Sequence, residues 1–261
     1  MRKTAIALLT LGLVAYVGTA SAANIFTESF SYPDGGLVAV SGGNWLNFSG
    51  AAVDVQVVSG KAVGGGPTNP ANDDHRLFAA QPTDVTTYAC FTATISDPGA
   101  APKPIYFAML KDAGTSIFVS RVYFLPQTGG GFTFGISHSS TSATVGVTPW
   151  TTPLAYGVPY NIVISYDPVN KSSTLWVNPA SQASPSVTDV NAAAAAVGVA
   201  GFGLRQSNAA ATLPASPPYV GTGDPVWTVD DLGVGTTFAD ACGGVTPTHE
   251  SSWGRLKTLY R

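Results

Sequence analysis

The stretch YNIVISYDPVNKSSTLWVNP, residues 160–179, contains two strand-like runs joined by a turn-forming segment. The runs Tyr160–Asp167 and Thr174–Asn178 are rich in β-branched and aromatic residues, which favour extended backbone. The proline and asparagine between them are typical of turns. The stretch therefore predicts a β-hairpin whose first strand alternates apolar and polar side chains.

Runs of the same character continue outward along the chain in both directions. The further strand candidates are Phe26–Phe30, Val53–Val57, Arg76–Ala80, Thr86–Asp97, Ile105–Lys111, Ile117–Leu125, Phe132–His138 and Val226–Val234. Roughly a dozen short strands with turn-rich connections predict a single-domain sandwich or barrel. The alanine run Ala192–Ala196 is too short for a stable helix, so we expect a connecting turn or the start of a strand there.

The chain is poor in charge and slightly acidic. Charged residues make up 10% of it, and 12 Lys and Arg face 15 Asp and Glu, which gives a net charge of −3 at pH 7. This balance repels nucleic acid and anionic lipid. We therefore expect no nucleic-acid partner.

Residues 1–22 have the pattern of a bacterial-type export signal. Arg2 and Lys3 precede an apolar run, and small residues precede a cleavage site after Ala22. The apolar run is about 14 residues long, whereas a membrane-spanning helix needs ~20, so we expect no membrane span. The predicted location is secreted, either extracellular or at the cell surface.

Two cysteines, Cys90 and Cys242, are present in this exported chain. In an oxidising compartment they could form a disulfide, or they could be two buried small apolar residues. Neither lies in a CxxC pattern or near a histidine, which argues against a zinc site.

The hairpin at residues 160–179 resembles the penultimate hairpin of laminin G-like domains. Phe26–Gly36 is similar to the opening strand of the concanavalin A-like lectin/glucanase superfamily, and Val229–Gly235 to its closing strand; Phe132–Ile136 also fits. The resemblance implies an all-β fold, a two-sheet antiparallel jelly-roll sandwich with the first and last strands adjacent. We therefore expect one domain over residues 23–242. The composition changes after Cys242, where Gly, Thr and Pro predict a linker (243–250) before a basic-aromatic tail (251–261).

Catalysis finds little support in the sequence. Glycoside hydrolases use a pair of carboxylates, but the only glutamates are Glu28 and Glu250. We expect Glu28 to be structural, paired with an arginine such as Arg205 or with backbone. His138 ends a strand before a Ser/Thr turn, which predicts a surface position. The chain is predicted not to be an enzyme, and a glycoside hydrolase ranks third among the functions considered.

A calcium site is a further possibility, since some laminin G-like domains bind this ion. Asn72, Asp73 and Asp74 offer the hard oxygen ligands that calcium prefers. The alternative is that these residues form Asx-turns in a loop. No other cofactor is expected.

Carbohydrate binding requires exposed aromatic rings beside polar groups. Trp150, Tyr156 and Tyr219 lie in Pro-rich, loop-like segments and are the candidate sugar-binding residues, because loop rings carry little core packing; Trp45, Trp176 and Trp227 are expected in the core. The chain is therefore predicted to be a secreted, non-catalytic module that binds a glycan or surface polymer. The alternative is a structural or adhesive surface protein without a small ligand. The tail at residues 251–261 is predicted to be a sorting or docking element for a partner.

Overall fold

The computed structural model describes residues 24–50, 53–66, 71–99, 104–139, 146–206 and 225–243. The predicted export signal, Tyr219 and the C-terminal tail lie outside these ranges. The strands are β1 Asn24–Glu28, β2 Gly35–Gly36, β3 Leu46–Ser49, β4 Gln56–Val58, β5 Lys61–Gly65, β6 Asp73–Leu77, β7 Thr87–Ile95, β8 Ile105–Lys111, β9 Phe118–Pro126, β10 Phe132–Ser137, β11 Thr148–Pro149, β12 Pro159–Asp167, β13 Ser172–Val177, β14 Val187–Val190, β15 Gly201–Leu204 and β16 Val226–Gly235. The short helices are α1 Leu37–Val40 and α2 Phe238–Cys242.

The described strands form two antiparallel sheets. The larger sheet has the order β14-β13-β12-β7-β16-β5-β4-β2, and β1 also pairs with β16. The smaller sheet has the order β11-β10-β9-β8-β15-β6-β3. The predicted two-sheet antiparallel sandwich is confirmed, with its first and last strands paired. In the described ranges, no helix has the length and apolarity needed to cross a bilayer.

The hairpin predicted from residues 160–179 is present as β12 and β13, which pair from Ile162↔Val177 to Asp167↔Ser172. The Ala192–Ala196 segment begins in a turn, as expected. Two strands begin three residues away from their predictions: β4 begins at Gln56 and not at Val53, and β6 begins at Asp73 and not at Arg76. Asp73 and Asp74 extend β6 because their carboxylates accept hydrogen bonds from the backbone of neighbouring segments.

The core lies between the two sheets and follows the two-residue period of the strands. On β7, Ala89, Phe91 and Ala93 face the main core, while Cys90 belongs to a separate cluster on the outer side of the larger sheet. Trp45 and Trp227 are fully buried in the main core. Trp176 is also buried, but beside Cys90 in the outer cluster.

The predicted disulfide between Cys90 and Cys242 is present, with the two Cα atoms 5.3 Å apart. It attaches α2, which follows the closing strand, to the outer side of β7. Phe238 of α2 packs edge-on against Trp176 and Tyr88. The disulfide thus covalently joins the C-terminal end of the sandwich to one of its central strands.

Candidate functional site

The outer side of the smaller sheet carries a cluster of cationic and aromatic side chains. On β9, Val122 and Phe124 face the main core, so Arg121 and Tyr123 lie on the opposite, outer side. The neighbouring strand β8 contributes Tyr106, which opposes Tyr123 across the ladder. We call this side of the sheet the arginine–tyrosine face; its partly exposed members are Tyr106, Arg205 and Phe118, and its buried members are Tyr123, Arg121, Lys111, His75 and Phe48.

Two guanidinium groups of this face lie over one tyrosine ring. Cζ of Arg205 is 4.3 Å from the ring centroid of Tyr106, and Cζ of Arg121 is 5.3 Å from it. Arg121 also lies 5.5 Å from the ring centroid of Phe118. Cation–π attraction of this kind partly offsets the loss of hydration of the two guanidinium groups.

Arg121 has unused hydrogen-bonding capacity at the centre of this face. Its side chain is buried, yet neither Nε nor Nη1 has an acceptor among the residues that the structure describes. Burial lowers the pKa of Arg121, the nearby Tyr106 and Tyr123 raise it, and Arg205 lowers it further. A buried donor without an acceptor destabilises the protein, and a bound anion would supply the missing acceptors.

Lys111 and His75 form the second half of the face, around the ring of Phe48. Nζ of Lys111 lies 5.0 Å from the Phe48 ring centroid and donates to the carbonyl oxygens of Asp112 (2.8 Å) and Gly114. The imidazole of His75 stacks on Phe48 with its centroid 5.0 Å away. Burial, with a smaller contribution from Lys111, lowers the pKa of His75 to about 4, so the ring is neutral at neutral pH.

Glycines of β15 give the long side chains of this face room to lie flat. Phe202 and Leu204 point into the core, and Gly201 and Gly203 lie on the outer side. A Cβ at Gly203 would stand 2.7 Å from Cε of Met109, and a Cβ at Gly201 would stand 3.2 Å from Cγ of Lys111. The Gly-Phe-Gly-Leu sequence therefore places two apolar side chains in the core and no side chain on the outer side of β15.

The face carries three cations, Arg121, Arg205 and Lys111, in a chain whose net charge is −3. Asp73 Oδ2 lies 3.9 Å from Nε of Arg205, and the carboxylates of Asp112 and Asp189 also lie nearby. This cluster was not predicted from the sequence. The available signal was Arg121, an arginine inside a predicted strand of mostly apolar residues, because a cation there must lie on one side of a sheet.

The predicted sugar-binding aromatics lie elsewhere. Trp150 and Tyr156 are half-buried and pack against the main core. The Tyr156 ring stacks on Phe132 with its centroid 5.3 Å away, and its hydroxyl donates to the carbonyl oxygen of Gly131 at 3.0 Å. These loop rings therefore do contribute to core packing, contrary to the expectation from their loop-like sequence. Tyr219 lies outside the described residues.

The predicted calcium ligands do not converge on one point. Asp73 and Asp74 are consecutive residues of β6, so their side chains point to opposite sides of the strand. Asp73 accepts from the backbone N–H of Gln206 (2.9 Å), Asp74 accepts from that of Val55 (2.8 Å), and Asn72 donates to Asp54 (2.7 Å). No group of three His, Cys, Asp or Glu in the described part of the chain could hold a metal ion. These residues therefore do not fit a calcium site.

Glu28 is structural, as predicted, but its arginine partner is Arg76 and not Arg205. Nη1 of Arg76 donates to Glu28 Oε2 at 2.7 Å. Arg205 cannot serve because it lies on the outer side of the smaller sheet, beside Asp73 and Tyr106. Arg76 reaches Glu28 because it lies on the opposite side of β6 from His75 and points between the sheets.

His138 is buried, contrary to its predicted surface position. Its Nδ1 lies 3.1 Å from Oγ of Ser173, which in turn lies 2.7 Å from Oγ of Ser120. Asp189 accepts from the backbone N–H of His138 rather than from its ring, so it does not orient the imidazole as in a catalytic triad. The three side chains are at most 1% exposed, which makes this contact part of the interior.

No protein-family model matches the chain, and no curated protein matches its sequence. Solved structures do share its fold. A sialidase is 13% identical over 82% of this chain and 19% of its own, with a TM-score of 0.50. The chain thus spans about a fifth of that sialidase. The alginate lyase Aly36B is 9% identical over 81% of this chain and 97% of its own, also with a TM-score of 0.50.

A third match is the CBM2 module of the evolved Dit of Lactobacillus casei BL23 phage J-1. It is 9% identical over 82% of this chain and 96% of its own, with a TM-score of 0.49. Identities this low show the fold alone. The chain is a two-sheet antiparallel jelly-roll sandwich, a fold that it shares with the alginate lyase and with part of the sialidase.

Proposed function

We propose that the protein is a non-catalytic recognition module that binds an acidic carbohydrate polymer on the arginine–tyrosine face. The observation that carries the proposal is the buried guanidinium of Arg121, whose Nε and Nη1 lack acceptors among the described residues. Guanidinium groups bind carboxylates in a planar, two-point geometry, and a sugar carboxylate has that shape.

The aromatic members of the face supply the second element of sugar recognition. The rings of Tyr106 and Phe118 are half-buried, and their centroids lie 6.4 Å apart. A sugar ring can pack its apolar face on such rings while its charged group meets the guanidinium of Arg121 or Arg205. Export, which residues 1–22 predict, would bring the module to extracellular polymers.

The fold supports this proposal only at a general level. Fold alone does not specify function, and the same sandwich serves the sialidase and the alginate lyase described above. The shared fold makes a carbohydrate ligand plausible, and the residues of the arginine–tyrosine face add the preference for an anionic one.

A second candidate function is a lyase acting on the same polymer. It is favoured by Tyr106 and Tyr123, whose rings lie 5.4 Å apart beside Arg121. In such a reaction a base removes the proton next to the sugar carboxylate, a C=C bond forms as the glycosidic C–O bond breaks, and the departing oxygen takes up a proton from an acid or from water. Burial raises the pKa of Tyr123 well above its usual range, although Arg121 lowers it, and this disfavours the phenolate as a base.

Calorimetric titration with oligogalacturonate, and with neutral cello-oligosaccharides as the comparison, tests the proposal. We expect Arg121→Gln to lower the affinity for the acidic oligomer about tenfold or more, since a charge-assisted pair is removed, and to leave any binding of the neutral oligomer unchanged. Arg121→Lys should give an intermediate affinity, because it keeps the charge but loses the planar fork.

Lys61→Gln is the matched control, because it removes one cation from an exposed site on the larger sheet. Equal losses for Lys61→Gln and Arg121→Gln would show non-specific charge attraction and contradict the proposal. Absence of binding to any glycan would favour the structural or adhesive alternative. An ultraviolet signal from an unsaturated product would favour the lyase.

A further inference from the structure

A polar pocket lies at the margin of the sandwich, between the two sheets. Its volume is about 320 Å³, near the lower limit for pockets that bind small molecules. Its lining includes Glu28 and Ser29 at the end of β1, Tyr32, Asn44, Arg76 of the smaller sheet and Asp231 of the larger sheet. The pocket is separate from the arginine–tyrosine face, because Arg76 and His75 lie on opposite sides of β6.

A β-bulge brings Asp231 to this pocket. The pairing of β16 with β7 shifts register between Asp230 and Gly233, and Asp231 has a φ of 50°. A left-handed conformation is uncommon outside glycine and costs about 1 kcal/mol or more, and bulges often redirect a side chain at a functional position. The carboxylate of Asp231 has no hydrogen-bond partner among the described residues.

Glu28 holds the remaining walls of the pocket in place. Its Oε2 accepts from Tyr32 (2.8 Å) and Trp45 (3.0 Å) as well as from Arg76, and its Oε1 accepts from the backbone N–H of Phe30 (2.9 Å). The side chain of Glu28 is therefore fully engaged and buried. A wall built in this way is rigid before any ligand arrives, which reduces the entropy lost on binding.

The balance of polar groups indicates the chemical class of the ligand. Among the described lining residues, two carboxylates, Glu28 and Asp231, face one cation, Arg76, so an anionic ligand is disfavoured. Tyr32 already donates to Glu28 and accepts from the Asn44 amide N–H at 3.3 Å. The carboxylate of Asp231 and the amide oxygen of Asn44 can each accept from a hydroxyl group. Such planar groups suit a neutral sugar.

We propose that this pocket is a second carbohydrate site, which binds a neutral hexose unit with Asp231 as the principal acceptor for its hydroxyl groups. The site does not depend on the arginine–tyrosine face. The two sites differ in charge. The arginine–tyrosine face would favour an acidic sugar, and the pocket would disfavour one.

The test is a titration of the full chain with methyl glycosides of glucose, galactose and mannose, followed by two-dimensional NMR. Methyl glucuronide is the acidic comparison. We expect at least one neutral glycoside to shift the amide signals around Asp231 and Glu28. Asp231→Asn keeps the left-handed backbone accessible and should weaken that binding about tenfold, since a charged acceptor is lost.

Asp230→Asn is the matched control, because the Asp230 side chain lies beside the exposed Lys61 at 3.9 Å and because asparagine keeps the oxygen that accepts from the backbone N–H of Asp231 (2.9 Å). It should leave binding of the neutral glycoside unchanged. Failure of all three neutral glycosides to bind, unchanged affinity in Asp231→Asn, or tighter binding of methyl glucuronide at this pocket would overturn the proposal. Binding of oligogalacturonate should be unaffected by Asp231→Asn, so the two sites can be refuted separately.

Discussion

Individual buried carboxylates show how a short acidic sequence can be structural. Asp74 is fully buried, and burial is the main cause that raises its pKa to about 7; the hydrogen bond from Val55 lowers it and nearby Asp54 raises it. Burial also raises the pKa of Asp73 to about 6, although Arg205 lowers it. The Asn-Asp-Asp sequence suggested metal ligands, because burial and backbone contacts of this kind leave no trace in local composition.

Asp74 should make the protein less stable as the pH rises. The folded-state pKa is above the unfolded value, so the folded protein binds the proton more tightly and its advantage disappears as the pH passes through about 7. Between about pH 5 and pH 8 this amounts to roughly 2–3 kcal/mol of unfolding free energy. Urea unfolding should show a flatter pH dependence for Asp74→Asn than for the wild type.

His75 acts in the opposite direction, because its lowered pKa makes stability fall as the pH drops from about 6.5 to about 4. Its contribution is common to the wild type and Asp74→Asn and cancels in the comparison. Identical pH profiles for the two proteins would contradict the assignment of a raised pKa to Asp74.

Tyr156 should contribute to stability rather than to ligand binding. Its ring stacks on Phe132 and its hydroxyl donates to Gly131. Tyr156→Ala should lower the unfolding free energy by about 2–4 kcal/mol, and Tyr156→Phe by only about 1 kcal/mol, since the latter keeps the ring. Thermal unfolding by circular dichroism measures both. A Tyr156→Ala protein with unchanged stability and weakened glycan binding would restore the original sugar-binding hypothesis for this residue.

Among the secondary-structure elements, the strands with one apolar side could be predicted from the sequence. β12 and β13 follow their sequence pattern closely because alternate residues enter the core. The start of β6 was missed because two aspartates are poor strand formers, and only tertiary hydrogen bonds place them in the ladder. The arginine–tyrosine face was missed for a related reason: it draws residues from β3, β6, β8, β9 and the position after β15, and the adjacency of these strands depends on sheet order rather than on sequence distance.

The disulfide is an element-scale stabiliser, since it attaches α2 to β7 across a sequence separation of 152 residues. In the chain-entropy treatment a loop of this length gives an upper value of roughly 4–5 kcal/mol. The double variant Cys90→Ala/Cys242→Ala should therefore unfold at a markedly lower urea concentration. The single variants should behave like the double variant, because either change breaks the bond. Two free thiols in non-reducing peptide mapping of the purified protein would contradict the pairing.

The whole molecule combines a generic sandwich with two surfaces of different charge. The fold could be predicted from hydrophobic periodicity and from the resemblance of its hairpin and terminal strands to concanavalin A-like domains. The proposed ligand surfaces could not be predicted in this way, because their prediction depends on which strands are neighbours and which side chains stay unpaired after folding. Arg121 illustrates the limit: only the folded structure shows that its guanidinium is buried and that Nε and Nη1 have no acceptor within the described ranges.

The most direct test of the account is an NMR titration of labelled protein with oligogalacturonate that follows the side-chain Nε–H signal of Arg121. We predict that this signal shifts strongly on binding, together with amide signals of β8, β9 and β15 around the arginine–tyrosine face. A shift confined to the segment around Trp150, or an Arg121 signal unchanged at saturating oligomer, would contradict the assignment of this face as the acidic-carbohydrate site.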